Sequence, residues 1–86
     1  MENKIVVKAK IDILPREYWS EKYKHYMIRV GSKFYVEKAE WDAKSIHSQD
    51  INCEAKNVEL VKNDVDKKNV TDRILFVIPY TLLEEE

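Results

Sequence analysis

Hydrophobic and polar residues alternate with a period of two over much of the chain, the spacing that places every second side chain on one face of a β-strand. The clearest stretch is Tyr26 to Trp41, YMIRVGSKFYVEKAEW, which alternates on both sides of Gly31-Ser32 and holds the only glycine of the sequence. Glycine tolerates the positive φ that tight turns demand, so the pattern predicts a β-hairpin. A two-residue loop would set Val30 opposite Lys33 and waste Phe34 and Val36. One more residue, in a three-residue loop or a bulge, pairs Val30 with Phe34 and Ile28 with Val36 and gathers the apolar side chains on one face. The other face then carries Met27, Arg29, Tyr35 and Glu37, with Arg29 across from Tyr35 as a stacked or cation–π pair. After Glu37 the alternation shifts, and Ala39 and Trp41 join the Tyr35 face. A bulge or a short helical turn is predicted there.

Upstream, Ile5, Val7, Ala9, Ile11 and Ile13 alternate with Val6, Lys8, Lys10, Asp12 and Leu14, which one half-buried strand explains, and Pro15 ends it. The segment PREYWSEKYK places Trp19 and Tyr23 at i,i+4 behind a proline suited to a first helical position. Either a short helix over residues 15–24 or a long crossing loop fits it. Downstream, Ile51, Cys53 and Ala55 alternate, and after Lys56-Asn57 apolar residues resume at Val58, Leu60 and Val61. This predicts one bulged strand or two short ones. A helix through Val58, Val61 and Val65 competes, against the poor helix propensity of valine, Asn and Asp. The run ILFVI, Ile74 to Ile78, is apolar at every position and predicts a central strand covered on both faces. The fold class is therefore mainly β, or α+β. The expected form is a small curved antiparallel sheet, or a partly open barrel of the OB or SH3-like kind, of about five strands.

Composition changes this picture little. With 86 residues, 44% hydrophobic and 36% charged, the chain is one globular domain, residues 1–86, with a modest core. It has no apolar run long enough to span a bilayer, and lysines interrupt the apolar start of the chain where a signal peptide would have none. One cysteine, Cys53, excludes an internal disulfide, and the expected compartment is the cytoplasm. Net charge is −1 but uneven: residues 1–44 carry ten Lys/Arg against seven Asp/Glu, and residues 45–86 five against nine.

Candidate chemistry is sparse. His25, His47 and Cys53 lack the paired spacing of a zinc site, so no metal or other cofactor is expected. Cys53 lies in an apolar alternation that predicts burial, which raises a thiol's pKa, and no carboxylate pair sits in an apolar context. The sequence does not point to an enzyme. What remains is aromatic and basic: Tyr18, Trp19, Tyr23, Tyr26 and Tyr35 among Lys8, Lys10, Arg16, Lys22, Lys24, Arg29 and Lys33. These residue types serve single-stranded nucleic acid by stacking and phosphate contact, or a protein partner as hot spots. The plainer alternative is that the aromatics form core and rim. The candidate binding set is Arg29, Tyr35, Trp41, Trp19, Tyr23 and Lys33.

The stretch YMIRVGSKFYVEKAEW, with the short length, the lysine- and asparagine-rich composition and the acidic tail, resembles small uncharacterised proteins of phages and prophages of low-GC Gram-positive bacteria. The resemblance implies a compact protein that binds and alters a host component, such as a defence nuclease, a polymerase or a replication factor. Two functions follow as expectations. The first is a non-enzymatic protein-binding module, a phage-type inhibitor of a host or anti-phage defence enzyme that acts by occlusion. The second is a small nucleic-acid-binding domain that uses the N-terminal basic and aromatic residues. No membrane partner is expected.

Overall fold

The computed structural model of the chain describes residues 3–47 and 49–86. It is mainly β, with seven antiparallel strands in one open sheet and one short helix. The organising element is the twelve-residue strand β4, Asp50–Val61, numbered in chain order. Along one side of it run β2, Met27–Ile28, and β3, Lys33–Glu37, end to end; along the other run β5, Lys67–Val70, and β6, Leu75–Pro79. The far side of β3 takes β1, Lys4–Ala9, which in turn pairs with β7, Leu83–Glu85. The seven segments therefore lie along five lines. No ladder among the described residues joins the β7 edge to the β5/β6 edge, so the sheet does not close into a barrel. A 3-10 turn, Tyr80–Leu82, carries the chain from one edge to the other, held by the Tyr80 N–H to Gln49 C=O and Lys10 N–H to Leu82 C=O bonds (2.7 and 2.9 Å).

The expected β4 is a single bulged strand, and the helical alternative for residues 58–65 is not adopted. Ile51, Cys53 and Ala55 are buried, and the phase then slips by one so that Val58 and Leu60 are buried too. The slip coincides with a register shift against β3, where Lys33 pairs with Asn57 but Phe34 with Ala55, leaving Lys56 as the extra residue. Without that bulge the second half of β4 would turn its apolar face to water.

The expected Gly31-Ser32 hairpin is not formed. Neither Val30–Phe34 nor Ile28–Val36 is a pair: Ile28 pairs with Leu60, Val36 with Ile5, and Phe34 with both Val7 and Ala55. Residues 29–32 make a tight turn, closed by the Ser32 N–H to Arg29 C=O bond (3.2 Å), with Gly31 at φ +87°. Positive φ at the third turn residue alone is a type II turn, whose twist splays its flanking strands. β2 and β3 are thus one line along β4, interrupted by an excursion. Gly31→Ala should cost about 1–2 kcal/mol through backbone strain alone, because no atom lies within 4 Å of the position a Cβ would take. Urea unfolding measures it, with Gly31→Asn expected to recover part of the loss; an unchanged midpoint for the alanine variant would refute the turn type.

Residues 15–24 form successive turns and no helix. The Trp19 N–H bonds Arg16 C=O, and the Tyr23 and Lys24 N–H groups share Ser20 C=O. The crossing-loop alternative is the one adopted, because Trp19 and Tyr23 do more by entering the core than by stacking along a helix. The helix α1, Lys38–Asp42, instead begins where the alternation shifts after Glu37. Trp19, Tyr23 and Tyr26 from the crossing segment and Trp41 from α1 close the inner face of the sheet over Phe34, Phe76, Ile51 and Ile78. Ile74–Ile78 is also corrected: β6 pairs only with β4, so it is an edge strand and not a doubly covered one. Phe76 and Ile78 point inward, whereas Leu75 is 57% exposed. The Trp19 indole Nε1 donates to the Val77 C=O (3.1 Å) and caps part of that edge.

Candidate functional site: the outward face of the sheet

Strand alternation fixes what the sheet shows to water. Opposite the core-facing residues stand Val6 on β1, Tyr35 on β3, Glu54 on β4 and Leu75 on β6, and these four are cross-strand neighbours in one row. Tyr35 has the Arg73 guanidinium 4.9 Å and the Lys56 ammonium 5.9 Å from its ring centre. A hollow of about 310 Å³ opens beside it, with Tyr35 and Leu75 on its walls and Lys4, Glu37, Glu40 and Asn52 around them. Glu54 receives both Lys4 (2.5 Å) and Arg73 (3.6 Å), and the Glu40 carboxylate accepts the Asn52 N–H (3.3 Å). The Lys4–Glu54 pair is largely buried, at 12% and 22% exposed, while Arg73 is 55% exposed and its pair adds at most about 1 kcal/mol; together they fix long side chains at the border of the face. The result is an aromatic and an aliphatic side chain on a rigid sheet, flanked by arginine and lysine and bordered by paired charges.

The candidate residues divide between this face and the core. Tyr35 is at the centre of the face, and Lys33 lies two residues away on the same strand with Glu86 at 2.5 Å. Arg29 does not stand opposite Tyr35: it belongs to the 29–32 turn and pairs with Asp12 (3.4 Å), because the hairpin that would have joined them is absent. Trp19, Tyr23 and Trp41 are 4%, 6% and 5% exposed, so they are core and offer no ring to a partner. Trp41 does not join the Tyr35 face. Its Nε1 donates to Glu85 (3.2 Å), and the Lys44 ammonium covers its ring at 4.1 Å.

Cys53 is fully buried, and burial pushes its thiol well above the ordinary range. Among the described residues no group of three His, Cys, Asp or Glu side chains is placed to hold a metal. No described helix is long and apolar enough to cross a membrane.

The residues that sequence reasoning missed are Leu75, Val77, Arg73 and Lys56. ILFVI has no polar residue to mark which side faces water, so its outward half was hidden. Arg73, which lies two residues before Leu75, was the available hint. A second, larger concavity of about 580 Å³ lies around Gly31, Lys33, Asn57 and β5. In comparisons with known proteins, no family model matches the chain, and no curated protein or solved structure matches it.

Proposed function

We propose that this chain is a non-enzymatic protein-binding module that works by covering a surface of its partner. A host or anti-phage defence enzyme is the partner class, as the likeness to small phage proteins implies. The observation that supports the reading is Leu75, 57% exposed and in one row with Tyr35, beside the Arg73 guanidinium. Tyrosine and arginine around an aliphatic anchor are hot-spot residue types, and a sheet presents them with little entropy left to lose on binding. The nucleic-acid reading draws on Tyr18, Trp19, Tyr23, Tyr26 and Tyr35 for stacking; Trp19, Tyr23 and Tyr26 are core, which leaves it Tyr18, 57% exposed, and Tyr35 on the outward face.

The test is capture of a partner from a bacterial lysate with and without nuclease, followed by affinity measurement with the purified partner. Tyr35→Ala and Leu75→Ala should each weaken binding by about 1–2 kcal/mol or more while leaving the melting curve nearly unchanged. Val65→Ala at the β4–β5 hairpin, 93% exposed, is the control and should bind as the parent does. Capture that nuclease abolishes, or that survives both face substitutions, refutes the reading.

A further inference from the structure

The edges of the sheet differ in chemistry. β5 carries Lys67 and Lys68 and β7 carries Glu84 and Glu85, charges that discourage another chain from pairing there. β6 reads LFVIP and carries none. Two bonds bracket its ladder to β4: the Ala55 N–H donates to the Ile74 C=O (2.9 Å), and the Tyr80 N–H to the Gln49 C=O (2.7 Å). Both fall in the same alternate set of pairs of the β4–β6 register. Phe76 and Ile78 therefore direct their backbone groups at β4, and Leu75 and Val77 direct theirs away from it. Among the described residues, the one partner of these four outward groups is the Trp19 indole, on the Val77 C=O. That ring packs against Phe76, a core side chain, so it reaches the carbonyl from the inner face and leaves one lone pair over. Pro79, the next residue of the same phase, has no N–H to offer and ends the open edge.

We propose that β6 pairs antiparallel with β6 of a second copy of this chain, about a twofold axis through Phe76. Two donors and two acceptors on one edge complement themselves in a single register: Leu75 opposite Val77 of the copy, and Val77 opposite its Leu75. Four hydrogen bonds then close the outward groups of each chain on those of the other. The side chains fit the same register. Leu75 is exposed and Val77 half-buried on the outward face, so two leucines and two valines meet across the axis with no charge on either strand to oppose them. A strand from another protein would find the same backbone groups, but this match of edge to itself, in hydrogen bonds and side chains alike, favours the second copy. The product is one continuous sheet with both Tyr35 rings on the same side. This inference does not rest on the protein-binding reading, and self-association is measured without any partner.

Sedimentation equilibrium of the whole chain, at concentrations up to about 1 mM because so short an interface is weak, should show the mass rising from that of one chain toward that of two. Leu75→Lys, at an exposed position, sets two ammonium groups diagonally across the axis at about 7–8 Å. It should hold the protein monomeric over the same range with its melting curve unchanged. Val77→Pro removes an outward N–H from each chain without touching the β4 ladder and should do the same; the lysine variant decides alone if the proline variant does not fold. Val65→Lys, at the β4–β5 hairpin, should associate as the parent does. Oxidation of mixed Leu75→Cys and Val77→Cys chains should give the mixed disulfide in excess over either homodimer, since only that pair stands directly opposite, and the buried Cys53 does not compete. The proposal is overturned if the chain stays monomeric throughout, if Leu75→Lys associates as the parent does, or if the homodimer disulfides prevail. In the first case, slowed exchange of the Leu75 and Val77 amides in the complex with a captured protein would assign the edge to a strand of that protein instead.

Discussion

Phe76→Ala should destabilise the protein by about 3–5 kcal/mol. Phe76 is 1% exposed and its ring is the meeting point of the inner face. Trp19 packs edge-on at 5.2 Å between ring centres, Phe34 edge-on at 6.1 Å and Tyr23 tilted at 6.1 Å. Truncation therefore removes the phenyl transfer term and also breaks three aromatic contacts from β3 and the crossing segment. Neighbours on sheet backbone cannot collapse into the space. A domain of this size has about 4–13 kcal/mol in hand, so the loss takes a large share of it. Denaturant unfolding followed by fluorescence measures it. A loss under about 1 kcal/mol would mean that the aromatic cluster is not the core.

Trp19→Ala should be nearly as costly, about 3–5 kcal/mol, for a different reason. Residues 10–26 contain no regular strand or helix, and their attachment depends on a few side chains. Trp19 supplies both a buried ring against Phe76 and the Nε1–H bond to Val77 C=O. Its loss exposes the inner face and uncaps the β6 edge. Trp19→Phe separates the two contributions: it retains most of the packing and should cost about 1–2 kcal/mol, the hydrogen bond plus a small cavity. Hydrogen exchange of the alanine variant should quicken first in residues 10–26. Uniform quickening across all strands, with no early loss in that segment, would contradict the role of Trp19 as its anchor.

Alternation along a strand says which residues face inward, and there the sequence was legible. Val7 and Ala9 on β1, Phe34 and Val36 on β3, and the bulged succession Ile51, Cys53, Ala55, Val58, Leu60 on β4 are buried as the pattern requires. Ile11, in the same alternation as Val7, is 53% exposed, because β1 ends at Ala9 and Asp12 turns to accept the Val30 N–H (2.8 Å). Alternation does not say which strand pairs with which. Ile28 and Phe34 present the same inward faces whether β2 pairs with β3 or both lie along β4, so the hairpin and the Arg29–Tyr35 pair drawn from it could not be verified from the pattern. Trp19, Tyr23 and Trp41 sit in polar stretches, where only the three-dimensional path shows that their rings turn inward. In Ile74–Ile78 the surplus of apolar residues predicts double coverage. In the structure that surplus, Leu75 and Val77 on an edge strand, is what gives the outward face its apolar character.

The most direct test of that face as a binding surface is the affinity of the captured, purified partner for the Tyr35→Ala/Leu75→Ala double variant, with the melting temperature recorded on the same preparation. The expected result is a loss of about 30-fold or more, the sum of two truncated hot-spot side chains, with the fold intact. Parental affinity in a folded double variant would contradict the account.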